Sequence, residues 1–230
     1  MAFSQGKAFA AFLLIAASVI PISGCQERVS WNQKITITVE TPGGVKSGAS
    51  VMEVIVAEKR RGILFNPPEA RGVGSVALGE AVVVDLGGGR YLFGLLSGMD
   101  KAAQCALTWE GDWWPDGARA VSRFDGVAQL PVKCQPRLVT FDDINDPASV
   151  KRVDPDNLSA SFGDNHALQS ITLEMTREVR TEGKVEAVLG WWCNYRNNGA
   201  SPNGSTSIAV FTNELSDTLG TGAFRVGECS

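Results

Sequence analysis

The sequence predicts an α+β fold, predominantly antiparallel β and built from hairpins, with two or so short helices and long loops. Three observations predict it. Apolar and polar residues alternate with period two at Lys34–Glu40 (KITITVE) and at Ile171–Thr176, the pattern of a strand with one wet face. Turn residues separate short apolar runs, as at Thr41-Pro42-Gly43-Gly44 and at Asp85-Leu86-Gly87-Gly88-Gly89-Arg90. Helix-compatible spacing is confined to Met99–Trp109 and Lys184–Leu189.

Taken in order, the chain opens on Lys7 and a largely apolar run of 13 residues, Ala8 to Ile20. Ser18 is the one polar residue in that run, whose length suits a secretory signal and falls short of the ~20 residues a spanning helix needs. Pro21 ends helical structure and leaves Ile22-Ser23-Gly24 extended and small-sided before Cys25. These four residues resemble the lipobox of bacterial lipoproteins, in which the cysteine is acylated on sulfur and becomes the new N-terminus. The resemblance implies membrane lipid as a partner, through acylated Cys25, in a periplasm-facing envelope location. Gln26, which is not aspartate, points to the outer membrane over the inner one. Residues 1–24 then read as the signal peptide, 25–33 as the acylated cysteine and a short tether, and 34–230 as a β-rich globular domain. A division of that domain into lobes of about 34–135 and 136–230 is the alternative.

Removing residues 1–24 takes one of the 21 basic residues, leaving 20 against 25 acidic ones and a net charge near −5. No basic stripe is present, and Lys59-Arg60-Arg61 reads as a solvated strand end, so composition and export signal together argue against nucleic acid as a partner. Of five cysteines, four remain once Cys25 carries lipid: Cys105, Cys134, Cys193 and Cys229. Disulfides persist in an exported protein, and the pairs Cys105–Cys134 and Cys193–Cys229 keep each bridge within one half of the chain. With no CxxC and a single histidine, neither a zinc cluster nor a redox pair is expected, and no cofactor or metal is implied.

Ser50–Glu58 returns as the partner of the first strand, making a hairpin across the Thr41–Gly44 turn. Gly62–Gly74 reads as a loop. Val76–Leu86 reads as one or two strands broken at Gly79, followed by a hairpin turn at Asp85–Arg90 into Tyr91–Leu96. Gly98 and Gly111 confine the Met99–Trp109 helix, whose apolar face would be Ala102, Ala103, Ala106 and Leu107. Trp109, Trp113 and Trp114 then alternate with Glu110, Asp112 and Asp116. Indole faces beside carboxylates suit a sugar, because rings pack on C–H faces and carboxylates accept from hydroxyls. The preferred reading is that the tryptophans pin an irregular loop to the core beside Cys105.

Arg137–Phe141 reads as a strand. The acidic run that follows, Asp142, Asp143, Asp146-Pro147 and Asp154-Pro155-Asp156, lacks the spacing of a calcium loop and reads as turns and caps. His166, in Gly163-Asp164-Asn165-His166, reads as a surface residue. Asn197–Gly204 reads as a polar loop, with short strands at Ile208–Thr212 and Ala223–Val226.

VETPGG at Val39–Gly44, GEAVVVDLGGGRYLFGLL at Gly79–Leu96, DINDPASVKRVDPDNLSASFG at Asp143–Gly163 and SITLEMTREVRTEGKVEAVLGWW at Ser170–Trp192 resemble a group of alphaproteobacterial proteins, many of them lipoproteins. The resemblance implies a shared fold and carries no activity or site residues.

No Gly-x-Ser-x-Gly elbow or HExxH helix occurs, and no Ser-x-x-Lys motif occurs beyond the stretch read as the signal peptide, so no catalytic residue is assigned. The expectation is a non-enzymatic lipoprotein that binds an envelope protein or supports envelope structure. The alternative is a glycan-binding or glycan-cleaving protein that uses Glu110, Asp112 and Asp116 beside the tryptophans.

Overall fold

The computed structural model describes residues 27–58, 72–199, 215–220 and 222–226. The expected signal peptide and Ile22-Ser23-Gly24-Cys25 box, the Lys59–Arg61 cluster, the strand expected at 208–212 and Cys229 lie outside those residues.

The fold is α+β and mainly antiparallel β, in two sheets. Strands β1 (Arg28–Thr41) and β2 (Gly44–Glu58) form the long hairpin, with Thr41 opposite Gly44. On the far side of β2 lie β3 (Val73–Glu80) and then β10 (Arg225–Val226). On the far side of β1 lie β9 (Ala167–Thr176) and β6 (Val127–Gln129). The second sheet has the order β4 (Val82–Gly87), β5 (Arg90–Gly94), β7 (Leu138–Phe141), β8 (Val150–Arg152).

Period-two burial explains how the layers stack. Ile35, Ile37 and Val39 of β1, Met52, Val54 and Val56 of β2, and Ile171 and Leu173 of β9 face Val82, Val84 and Leu86 of β4 and Leu92 of β5 in one core. The neighbouring residue of β5, Phe93, points the other way. With Val139, Phe141 and Val150 it packs on a second core completed by α4 (Lys184–Val188), α5 (Trp192–Asn197) and Phe224. Phe93, Phe141, Phe224 and Trp192 meet edge to face or tilted, with centroids 4.8–5.9 Å apart, so the small sheet is covered on both faces. Where β2 crosses β4, Gly48 is needed for close approach: a Cβ there would lie 2.0 Å from the Val83 carbonyl oxygen.

Several expectations change. The first strand begins at Arg28, six residues before Lys34, because the buried row continues through Gln33 and Trp31. Gln33 interrupts the apolar pattern but is satisfied, donating to the Met99 carbonyl at 2.7 Å and accepting from Trp31 Nε1 at 3.2 Å. Residues 28–33 are therefore strand and not tether. A division near residue 135 does not follow the sheets, since β9 inserts between β1 and β6, and β7 and β8 extend β5. The run Val76–Leu86 is two strands in different sheets, and the boundary falls at Ala81, two residues after Gly79. Val73 already opens β3, so the loop expected over Gly62–Gly74 ends sooner. The Met99–Trp109 helix shrinks to a 3-10 turn, Met99–Lys101, and α1 (Ala102–Ala106), because Leu107 turns extended. Helix α5 is an addition.

Helix α4 is held by Glu80, a fully buried carboxylate whose two oxygens accept from the Lys184 and Val185 backbone N–H groups at 3.1 Å each. This satisfies donors that a helix start leaves unpaired.

Candidate functional site

The tryptophan loop follows α1 and is anchored at both ends. Cys105 of α1 is disulfide-bonded to Cys134, at the end of the 3-10 turn Val132–Cys134, which makes the first of the two expected pairs. From Trp113 to Gly117 the chain makes one wide turn, containing a cis Trp114–Pro115 peptide, and leads into α2 (Ala118–Val121). The turn closes where the Gly117 N–H donates to the Asp112 carbonyl at 3.1 Å. Gly117 also makes room for Trp109: a Cβ at 117 would come within 2.6 Å of the indole Cδ1. Trp109 and Trp113 pack at 5.0 Å between centroids, tilted by 60°.

All three tryptophans are half-buried and rest on the main core, so pinning is part of their role. None of the three is fully buried. Glu110, Asp112 and Asp116 are exposed. Asp116 accepts from Arg119 Nη1 at 2.9 Å, while the other guanidinium nitrogen of Arg119 is ion-paired with Glu27. Two exposed carboxylates, Glu110 and Asp112, thus neighbour the paired indoles in sequence, residue types able to stack an apolar ring face and accept hydroxyl hydrogens. Proximity to Glu27 is the feature the sequence did not give away. The Asp116–Arg119 spacing hints at a helical ion pair, but nothing in the local pattern joins residue 119 to residue 27.

His166 is a correction. It is buried, 4% exposed, and not a surface residue. Its Nδ1 lies 2.9 Å from the Gly163 carbonyl and 3.2 Å from that of Asp164, so Nδ1 carries the proton and donates, and the ring lies near Phe162. Ser159 Oγ donates to the His166 carbonyl at 3.1 Å, closing a compact loop after α3 (Ser159–Phe162). The Nε2 atom, buried, has no partner among the described residues. Polar neighbours in sequence suggested exposure; the ring is buried instead, with carbonyls of the same loop accepting from Nδ1.

Three aspartates of 142–156 serve their own turns, and Asp142 is ion-paired with Lys151. Asp143, Asp146 and Asp154 accept from the backbone N–H of Asn145, Ala148 and Asp156 at 2.9–3.0 Å. Among the described residues no group of three or more His, Cys, Asp or Glu side chains is placed to hold a metal ion. Cys193, in α5, is disulfide-bonded, and Cys229, its expected partner, lies outside the described residues. Among those residues no helix is long and apolar enough to cross a membrane. No family model, curated protein or solved structure matches the chain.

Proposed function

We propose that the chain is a lipid-anchored protein of the bacterial cell envelope. Acylated Cys25 holds a β-rich domain at the periplasmic face of a membrane, the outer one on the strength of Gln26. There it acts as a non-enzymatic module that binds an envelope partner or supports envelope structure. The observation that supports this reading best is how soon folding begins after Cys25. Glu27 is already ion-paired with Arg119, and Arg28 opens β1. Three residues of extended chain reach about 10 Å. Two or more acyl chains on Cys25, at ~0.8 kcal/mol per buried methylene, would fix the domain directly against the bilayer.

Arg119 lies five residues beyond Trp114, so the tryptophan loop flanks the same chain end. Half-exposed indoles suit a headgroup layer, which solvates both the apolar ring and its polar N–H. With the acylated full chain in vesicles of brominated lipid, tryptophan emission should be quenched, and Trp113→Phe with Trp114→Phe should remove most of the quenching. Undiminished emission from an acylated chain would overturn that orientation.

A second reading rests on the Trp109–Trp113 pair beside exposed Glu110 and Asp112, a surface that fits a glycan. Under it, wild type is retained on peptidoglycan and Trp113→Ala with Trp114→Ala is not. Equal retention of both chains favours the first reading.

A further inference from the structure

Two cavities adjoin near the Cys105–Cys134 disulfide. One, of about 390 Å³, is lined by Arg137 and Arg152; the other, of about 440 Å³, by Lys101 and Lys133. Ser97 and Gln135 line both, so the two form one continuous groove. Among the described residues no aspartate or glutamate lines either part. That is unexpected in a chain with 25 acidic and 21 basic residues.

Among the described residues the four cations have no carboxylate partner, a state shared by Lys46 and Arg177 elsewhere. Arg28, Lys34, Arg119, Lys151, Arg180 and Arg225 each face a carboxylate. Lys101, Lys133, Arg137 and Arg152 are exposed, and among the described residues none of them has an ion pair or a side-chain hydrogen bond. The acids nearest in sequence are engaged elsewhere: Asp100 accepts from Ser75 Oγ at 2.5 Å and Asp154 from the Asp156 N–H at 3.0 Å. The walls are firm. The disulfide ties α1 to the turn at Cys134, and Gln135 Nε2 donates to the Leu130 carbonyl at 3.1 Å. Like charges gathered in a groove raise its potential and concentrate anions from solution.

We propose that this groove binds a ligand carrying two or more phosphate groups, one held by Arg137 and Arg152 and the next by Lys101 and Lys133. Guanidinium groups offer paired donors that match phosphate oxygens, and the lysines add point charges further along. The proposal does not depend on acylation of Cys25. Such a ligand has two sources with the same chemistry, a soluble polyphosphate and a bisphosphate lipid headgroup.

The test uses the full chain as Cys25→Ser, which cannot be acylated, with tripolyphosphate by calorimetry and with cardiolipin-doped phosphatidylcholine vesicles by co-sedimentation. At least one probe binds, and binding weakens as salt is added. Arg137→Glu with Arg152→Glu, and separately Lys101→Glu with Lys133→Glu, weaken it about tenfold or more. Lys46→Glu with Arg177→Glu makes the same change in net charge at exposed, unpaired cations outside the groove and leaves binding within about twofold. Circular dichroism confirms that each variant is folded. Tripolyphosphate binding identifies a soluble source, and binding to vesicles alone identifies the lipid. No binding of either probe, or an equal loss in the Lys46/Arg177 variant, overturns the proposal.

Discussion

Glu27 is ion-paired with Arg119, which joins the residue two positions after Cys25 to the end of the tryptophan loop. The guanidinium also holds Asp116, so one side chain fixes both the chain start and the loop. Exposed pairs contribute about 0.2–1 kcal/mol. Arg119→Glu removes both pairs and should therefore cost no more than about 2 kcal/mol in urea unfolding. Lipid quenching of tryptophan emission should nevertheless fall, as the loop parts from the anchor. Unchanged quenching would mean that the pair does not orient the loop.

Gly48 marks the tightest contact between the sheets. Its missing side chain leaves room for the Val83 carbonyl, and backbone on both sides cannot swing away as a side chain could. Gly48→Ala should cost about 3 kcal/mol or more, the upper end of overpacking effects, read as a lower urea midpoint. A loss below about 1 kcal/mol would show that the sheets can separate there at little cost.

His166→Ala distinguishes a buried ring from a surface one. Losing the Nδ1–H contacts to Gly163 and Asp164 and leaving a void should cost about 2 kcal/mol, whereas a surface substitution stays within about 0.5. Urea unfolding of the variant decides between them.

Lys34 sits opposite Glu174 in the β1–β9 pairing and donates to Glu178 at 2.7 Å. That hydrogen bond, helped by the charges of Glu178 and Glu174 and opposed by desolvation, raises its pKa above the ordinary 10.5. The contribution to stability is fully present below 10.5 and is lost as pH rises through the higher folded value. Lys34→Met should cost about 0.5 kcal/mol at neutral pH, and the difference from wild type should shrink only at alkaline pH, above that ordinary value. A difference that stays constant with pH would assign the effect to packing.

Period-two alternation made β1, β2 and β9 readable, and turn chemistry placed both hairpins. What the pattern could not convey was partnership at a distance. Gln33 looks like a strand terminator until Met99 supplies its acceptor, so the strand's true start was hidden. Val76–Leu86 reads as one apolar stretch because both of its strands are buried, although they belong to different sheets. In the candidate site, the clustering of tryptophans and acids and the Cys105–Cys134 pair were legible. The link from Arg119 to Glu27 and the gathering of Lys101, Lys133, Arg137 and Arg152 were not, because each joins residues far apart in the chain through folding alone.

The central claim is that Cys25 anchors the domain, and mass spectrometry of the mature N-terminus combined with membrane fractionation tests it most directly. The account predicts a chain that begins at an acylated Cys25 and sediments with membranes, while Cys25→Ala appears in the soluble fraction. An unmodified Cys25, or a Cys25→Ala chain that still sediments with membranes, would contradict it.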